Sequence, residues 1–150
     1  MRYERPSPPR LPVRALALVS LLAVTSSGKG AVERGRDLFR GREALVARLR
    51  HHRIDLPPEV VACSNCHAVE GRPPPSASRA PRIDRALLLE ARARRGGPPS
   101  AYGASSFCRL VRTGIDPAHV LIAREMPVYA ADDPQCQSLW AFAIRRKEAP

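Results

Sequence analysis

One short run constrains the fold of this chain more than any other feature, because the fold must present its three reactive side chains together. The run is Cys63-Ser64-Asn65-Cys66-His67, with two thiols three residues apart and an imidazole directly after the second. This C-x-x-C-H spacing is typical of the attachment of a c-type haem, in which the histidine binds the iron. The chain is therefore expected to fold around one covalently held haem c, with His67 as the proximal ligand.

Two other interpretations of the paired cysteines fit the rest of the sequence less well. A thioredoxin-like redox pair requires a strand before the motif and a βαβ setting, whereas the preceding residues 56–62 (LPPEVVA) are short and marked by prolines. A structural zinc site requires four ligands at paired spacing, and the sequence has no second C-x-x-C and no H-x-x-x-H. Haem attachment is the interpretation that the whole sequence favours.

The N-terminus has the features of an export signal. Four arginines lie among the first 14 residues, and the run ALALVSLLAV at 15–24 follows them. A run of this length suits the hydrophobic region of a signal peptide and is too short to span a bilayer comfortably. Residues 1–30 are expected to be a signal peptide cleaved at about 27–31, and residues 31–150 a single domain in the periplasm or another exported location. An uncleaved N-terminal anchor is the other interpretation.

The positive charge bears on the kind of partner. The formal net charge is +11, and the four arginines and one glutamate of the first 27 residues leave about +8 on the rest of the chain. An exported protein meets little nucleic acid, so an acidic protein partner or peripheral contact with an anionic membrane is expected instead. The arginines are dispersed, so a solvated basic surface is also consistent with the sequence.

Hydrophobic spacing predicts helices joined by Pro/Gly-rich loops, and no convincing alternating strand is present. Helices are predicted at 32–50, where Gly41 is able to end a first short helix, and at 84–95, with Asp84 as the N-cap. Two more are predicted, at 105–113 before Gly114 and at 133–146 with Asp133 as the cap and Pro134 at the first position. With the haem motif on a further short helix, the predicted fold class is all-α.

Met126 is the only methionine outside the leader, and it lies between predicted helices directly before Pro127. The proline restricts Met126 to extended conformations, which suits a loop that lays the thioether on the distal haem face. Packing as a gap-filler is the other interpretation; His51, His52 and His119 are rival ligands. Ligation by His67 and Met126 leaves no open coordination site, which describes an electron carrier and not an enzyme.

The two remaining cysteines, Cys108 and Cys136, each lie on a predicted helix flanking the Met126 loop. In an oxidising compartment they are expected to form a disulfide that closes a loop of roughly 30 residues and contributes about 3–4 kcal/mol. Two buried free thiols are the alternative.

The order of these features resembles a class I (mitochondrial-type) cytochrome c: a first helix with a glycine, the haem motif, a Met-Pro pair, and a last helix with Leu-Trp. The resemblance implies the cytochrome c fold, about four to five short helices around one haem. It also implies that the first and last helices cross with Gly35 and Phe39 against Trp140. A third implication is that a proline of the run 73–75 offers its carbonyl to His67 Nδ1.

One departure from the family lies before the motif, where more than 20 residues separate Phe39 from Cys63. The extra segment, at about 42–60, either covers or extends a haem edge or is a loop elaboration. The expected function is a monohaem electron carrier between exported redox enzymes or respiratory complexes. Two alternatives stay open: a dedicated haem subunit of a periplasmic dehydrogenase, and a haem sensor or peroxidase with an open distal site.

Overall fold

The computed structural model describes residues 27–69, 72–74 and 78–145. This part of the chain has four helices, a 3₁₀ turn and a two-stranded sheet, in the order α1 Ser27–Phe39, β1 Ala47–Arg48, the 3₁₀ turn Cys63–Asn65, α2 Arg85–Leu89, α3 Ala104–Thr113, β2 Val128–Tyr129 and α4 Asp133–Ile144. Most of the predicted signal peptide lies outside the described residues, and 27–30 form the first turn of α1.

The prediction of an all-α cytochrome c fold is wrong. β1 and β2 pair in an antiparallel arrangement, with Ala47 opposite Tyr129 and Arg48 opposite Val128, and only 36% of the structure is helical. Alternation between buried and exposed positions becomes recognisable over about four to eight residues. Strands of two residues are too short to produce that signal.

The helix predicted at 32–50 is correct only in its first half. α1 ends at Phe39, and Gly41 follows with φ at 72°, in the left-handed region that glycine adopts without steric cost. Beyond the glycine, residues 45–48 alternate between buried and exposed, as a strand with one buried face does. Gly41 therefore ends the helix, and the following residues supply β1.

The helix predicted at 84–95 is much shorter in the structure. Its start is as predicted, because the Asp84 carboxylate accepts a hydrogen bond from Leu87 N at 2.8 Å. Its end is early because Arg92 and Ser100 exchange two backbone hydrogen bonds of 3.1 Å across the following turn. The Arg94 guanidinium then folds back to donate to the carbonyls of Leu87 and Ser100. Tertiary hydrogen bonds thus replace the continued helix.

The last two helices agree closely with the sequence. α3 ends at Gly114, as predicted, and this glycine adopts the left-handed conformation with φ at 71°. α4 begins at Asp133 and has a proline in its first turn, but its cap is Asp132 and not Asp133. The Asp132 carboxylate accepts from Gln135 N at 2.6 Å, and the Gln135 side chain accepts from Asp132 N at 3.0 Å.

The core lies where α1 crosses α4. Gly35 is so close to α4 that a Cβ there would be 1.9 Å from the carbonyl oxygen of Ser138. Next to this contact, the rings of Phe39 and Phe142 lie 5.4 Å apart. The predicted roles of Gly35 and Phe39 are therefore confirmed, whereas Trp140 points elsewhere and packs against an aromatic ring of α3.

A disulfide joins α3 to α4. Cys108 and Cys136 are bonded, with their Cα atoms 5.6 Å apart and a sequence separation of 28. The bond predicted from the sequence is thus present in the structure. The loop closed by the disulfide contains Met126 and β2. The bond therefore fixes the two helices at either end of this segment relative to each other.

Candidate functional site

The C-x-x-C-H residues lie on one tight turn. The backbone N–H groups of Cys66 and His67 both donate to the carbonyl of Cys63, at 3.2 and 2.9 Å. Both thiols of the motif are free, with Cys63 partly buried and Cys66 exposed. The short helical segment predicted for the motif is therefore present as a 3₁₀ turn, which brings two thiols and one imidazole to a single place in the fold.

His67 is oriented by a proline carbonyl. Its Nδ1 lies 2.8 Å from the oxygen of Pro81. Because a carbonyl oxygen only accepts, Nδ1 carries the proton, and the lone pair of the neutral ring is on Nε2. Burial lowers the pKa of His67 below its usual value, and the bond to Pro81 opposes that shift in part. The imidazole is thus neutral and presents one unprotonated nitrogen.

The proline that performs this role is not one of those predicted from the sequence. The resemblance to class I cytochromes c implies that a carbonyl of the run 73–75, shortly after the motif, accepts from His67 Nδ1. In the structure the chain turns back after the motif, and Ile83 N donates to Ala68 O at 3.1 Å. This return brings Pro81, 14 positions from His67, beside the imidazole. Its position depends on the path of the loop, which no local pattern in the sequence specifies.

A tyrosine from β2 joins the motif to the region of Met126. The thiol of Cys63 donates to the hydroxyl of Tyr129 at 3.9 Å, and that hydroxyl donates to Val61 O at 2.9 Å. Burial raises the pKa of the Cys63 thiol to about 11, and burial together with the nearby Cys63 raises the pKa of Tyr129. The strand that follows Met126 therefore packs directly on the turn that carries the motif.

Met126 lies where the sequence predicted, in a turn outside the helices. Its backbone N–H donates to Ala123 O at 3.2 Å, and its side chain is half-buried. The three rival ligands, His51, His52 and His119, are all exposed. Of the predicted site residues, the structure brings Cys63, Cys66 and His67 together, and Met126 lies three residues before Tyr129, whose hydroxyl contacts Cys63.

Two features are absent from the described residues. No group of three or more His, Cys, Asp or Glu side chains in 27–69, 72–74 and 78–145 is arranged to hold a metal ion. Among the same residues, no helix is both long enough and apolar enough to cross a membrane. Comparison with models of protein families, with curated proteins and with solved structures found no match to this chain.

Two residues of the site region carry no recognisable sequence signal. Pro81 orients the imidazole, as described above, and Arg50 lies at the end of the helix predicted at 32–50. In the structure its guanidinium donates to the carbonyls of Gly114 and Ile122. A long-range bond between a side chain and a backbone carbonyl leaves no periodic pattern, so the sequence offers nothing that identifies either role.

Proposed function

We propose that the protein is a monohaem c-type electron carrier in which Cys63 and Cys66 hold the haem and His67 is the proximal ligand. The observation that carries the proposal is the hydrogen bond between His67 Nδ1 and Pro81 O, on the same turn as two free thiols. Among metal-binding histidines, a second-shell carbonyl on one nitrogen is the common way to fix the ring and to direct the other nitrogen.

The donor set of this turn fits a covalently attached haem. Each free thiol is able to form a thioether, and Nε2 of a neutral imidazole is able to bind iron without first releasing a proton. When bound, the haem supplies a one-electron iron couple. Cys63 and Cys66 would hold it, the backbone carbonyl of Pro81 orients His67 for binding, and the Tyr129 hydroxyl contacts the Cys63 side of the turn.

Met126 is the proposed distal ligand. It is the only thioether outside the first residue of the chain, and the strand after it reaches the motif through the contact between Tyr129 and Cys63. His/Met ligation raises the reduction potential and closes the sixth coordination site. These properties support electron transfer as the activity, with no substrate bound at the iron.

This proposal rests on the site and not on a family fold. The same chemistry recurs on unrelated folds, so a haem site is judged from the residues that form it. The resemblance to class I cytochromes c accordingly remains a hypothesis, carried by the order of the motifs.

The expected location and partner also belong to the proposal. The disulfide between Cys108 and Cys136 supports an oxidising compartment such as the periplasm. A basic chain in that compartment favours an acidic redox protein as partner, with peripheral contact to an anionic membrane as the other arrangement. Two exposed apolar side chains of the 42–60 segment, Ile54 (80%) and Val46 (56%), add apolar surface of the kind that partner proteins cover.

Haem attachment is tested by expressing the full chain, export signal included, in a host that attaches c-type haem. We expect one haem per chain that survives acid–acetone extraction, an intact mass increased by one haem, and absorption typical of two thioethers. Replacing Cys63 with alanine should shift that absorption to the form typical of one thioether. Complete loss of haem on extraction of the wild-type protein would refute covalent attachment.

The distal ligand is tested with Met126→Leu, using His119→Gln as the control because His119 is exposed and is a rival ligand. The oxidised wild-type protein should show the sulfur-to-iron charge-transfer band and should not bind CO when reduced. Met126→Leu should abolish the band and admit CO, whereas His119→Gln should change neither. High-spin wild-type iron that binds CO readily would instead support a sensor or peroxidase with an open distal site.

A further inference from the structure

The segment that carries Met126, residues 123–127, is held at both ends by one other stretch of the chain, 42–60. At its start, the Arg50 guanidinium donates to Ile122 O at 3.0 Å and to Gly114 O at 3.2 Å. At its end, β2 pairs with β1, and Ala130 N donates to Val46 O at 2.9 Å. The stretch that the resemblance to class I cytochromes c marks as extra therefore contacts both flanks of the proposed distal ligand.

The contact made by Arg50 is specific to its two acceptors. Gly114 caps the C-terminus of α3, where a cation interacts favourably with the exposed carbonyls of the helix. The side chain packs so tightly there that a Cβ on Gly114 would lie 2.8 Å from the arginine Nη1. The two acceptor residues are also bonded to each other, because Ile122 N donates to Gly114 O at 3.0 Å. A planar guanidinium spans this pair, which a single ammonium group does not.

The loop between these two carbonyls is rigid. Asp116, whose side chain is only 1% exposed, accepts from Val120 N at 2.8 Å. Arg109 donates to the Asp116 carbonyl at 2.9 Å, and backbone bonds join Asp116 to Val120. These hydrogen bonds close the loop between Gly114 and Ile122. The contact of Arg50 with Ile122 O therefore helps to determine where the Met126 segment begins.

An open groove borders the Met126 segment on the side where Arg50 contacts it. An open groove of about 450 Å³ is lined by residues 121–125 together with Arg50, His51 and Arg95. Leu121, at the edge of the groove, is 52% exposed. Close side-chain packing is absent within this groove, so the hydrogen bonds from Arg50 are a main restraint on residues 121–125.

We propose that Arg50 is a positioning residue for Met126, holding the start of the segment so that the thioether stays on the iron. This inference rests on the proposed function, in which Met126 is the distal ligand. Local opening of a segment has its own free energy, which falls when the hydrogen bonds that hold it are removed. An external ligand binds the open form, so its apparent affinity rises in proportion to the open fraction.

The test uses the haem-loaded full chain and the variants Arg50→Gln and Arg50→Lys. Arg94→Gln is the matched control, because Arg94 also spans two backbone carbonyls, those of Leu87 and Ser100, in a different loop. Three quantities are measured: the sulfur-to-iron band, the affinity of the oxidised protein for imidazole, and the free energy of unfolding in urea. The first two report on the distal ligand, and the third reports on general stability.

We expect Arg50→Gln to weaken the band and to raise the imidazole affinity about tenfold, as the loss of hydrogen bonds to a charged group implies. Arg50→Lys should give an intermediate increase, and Arg94→Gln should lower stability without changing the affinity. Equal imidazole affinity in wild type and Arg50→Gln would overturn the inference, as would an equal rise in Arg94→Gln. A wild-type protein with haem but no sulfur band would overturn Met126 ligation together with this inference, and one without haem would overturn the proposed function itself.

Discussion

The contact between α1 and α4 gives the sharpest test of how this chain packs. Gly35 lies at the crossing, where a methyl group would be 1.9 Å from Ser138 O and 2.7 Å from Phe142 Cβ. Ordinary van der Waals contact begins at 3.4 Å, so Gly35→Ala leaves its new methyl about 1.5 Å too close to a backbone oxygen. A backbone atom in a helix does not rotate away as a flexible side chain does, so the two helices must separate.

The expected cost follows from two opposing terms. Overpacking a tight interface costs about 1–3 kcal/mol, and the upper end applies here because the obstacle is backbone. Replacing glycine with alanine inside a helix contributes about 1 kcal/mol in the other direction. We therefore expect Gly35→Ala to lower the free energy of unfolding by about 2 kcal/mol. Separation of the helices should also loosen the packing of Phe39 on Phe142.

The matched control is Gly30→Ala in the same helix, with all variants made in a chain that begins at Ser27 so that residue 30 is retained, because a Cβ at Gly30 meets nothing within 4 Å. It gains the helix preference without the clash, so it should stabilise the protein by up to about 1 kcal/mol. Urea unfolding followed by circular dichroism measures both variants against the wild type. If Gly35→Ala proved as stable as Gly30→Ala, α1 and α4 would not cross at this glycine, and the packing described here would be incorrect.

Two further predictions concern the cysteines. Replacing both Cys108 and Cys136 with alanine should lower the free energy of unfolding by about 3–4 kcal/mol, because it opens the loop that the disulfide closes over a sequence separation of 28. Thiol counting on the denatured, unreduced wild type should detect neither cysteine. Detection of both as free thiols would contradict the bond. In the haem-free protein, burial raises the pKa of Cys63 from 9.0 to about 11, so its native thiol should resist iodoacetamide until the pH nears 11. The free energy of unfolding should fall as pH rises from about 9 to about 11, because the thiol of the unfolded chain ionises at a lower pH than the buried one. Rapid alkylation of native Cys63 already at pH 9 would show that the thiol is not buried.

The parts of the fold that the sequence predicted well are those determined by local chemistry. A glycine in the left-handed conformation at 114 ends α3, and an aspartate before a proline starts α4, whatever surrounds them. The short helical segment predicted for the C-x-x-C-H run is likewise local, since its turn is closed by bonds from Cys66 N and His67 N to Cys63 O.

The errors occurred where tertiary contacts override local preference. The run of arginines after α2 has good helix formers, yet Arg94 finds better partners in the carbonyls of Leu87 and Ser100. The acceptor for His67 Nδ1 is predicted in the prolines nearest to the motif, 73–75. The observed acceptor is Pro81, which reaches the imidazole because the loop returns to the motif. Each error concerns a bond between residues that are distant in sequence.

In the segment 42–60, one exposed apolar side chain fits a helical spacing although the structure has a strand there. Leu45, Val46 and Leu49 fit a helical spacing, but the structure buries Leu45 and Ala47 and leaves Val46 56% exposed. Because Val46 is exposed, the apparent helix face is an alternating strand with Leu45 and Ala47 on its buried side. The consequence reaches the site, because this strand pairs with β2, and the arginine after it holds Ile122. A segment that served only as a loop would have no reason to bond both flanks of Met126, so its contacts favour a role in placing that side chain.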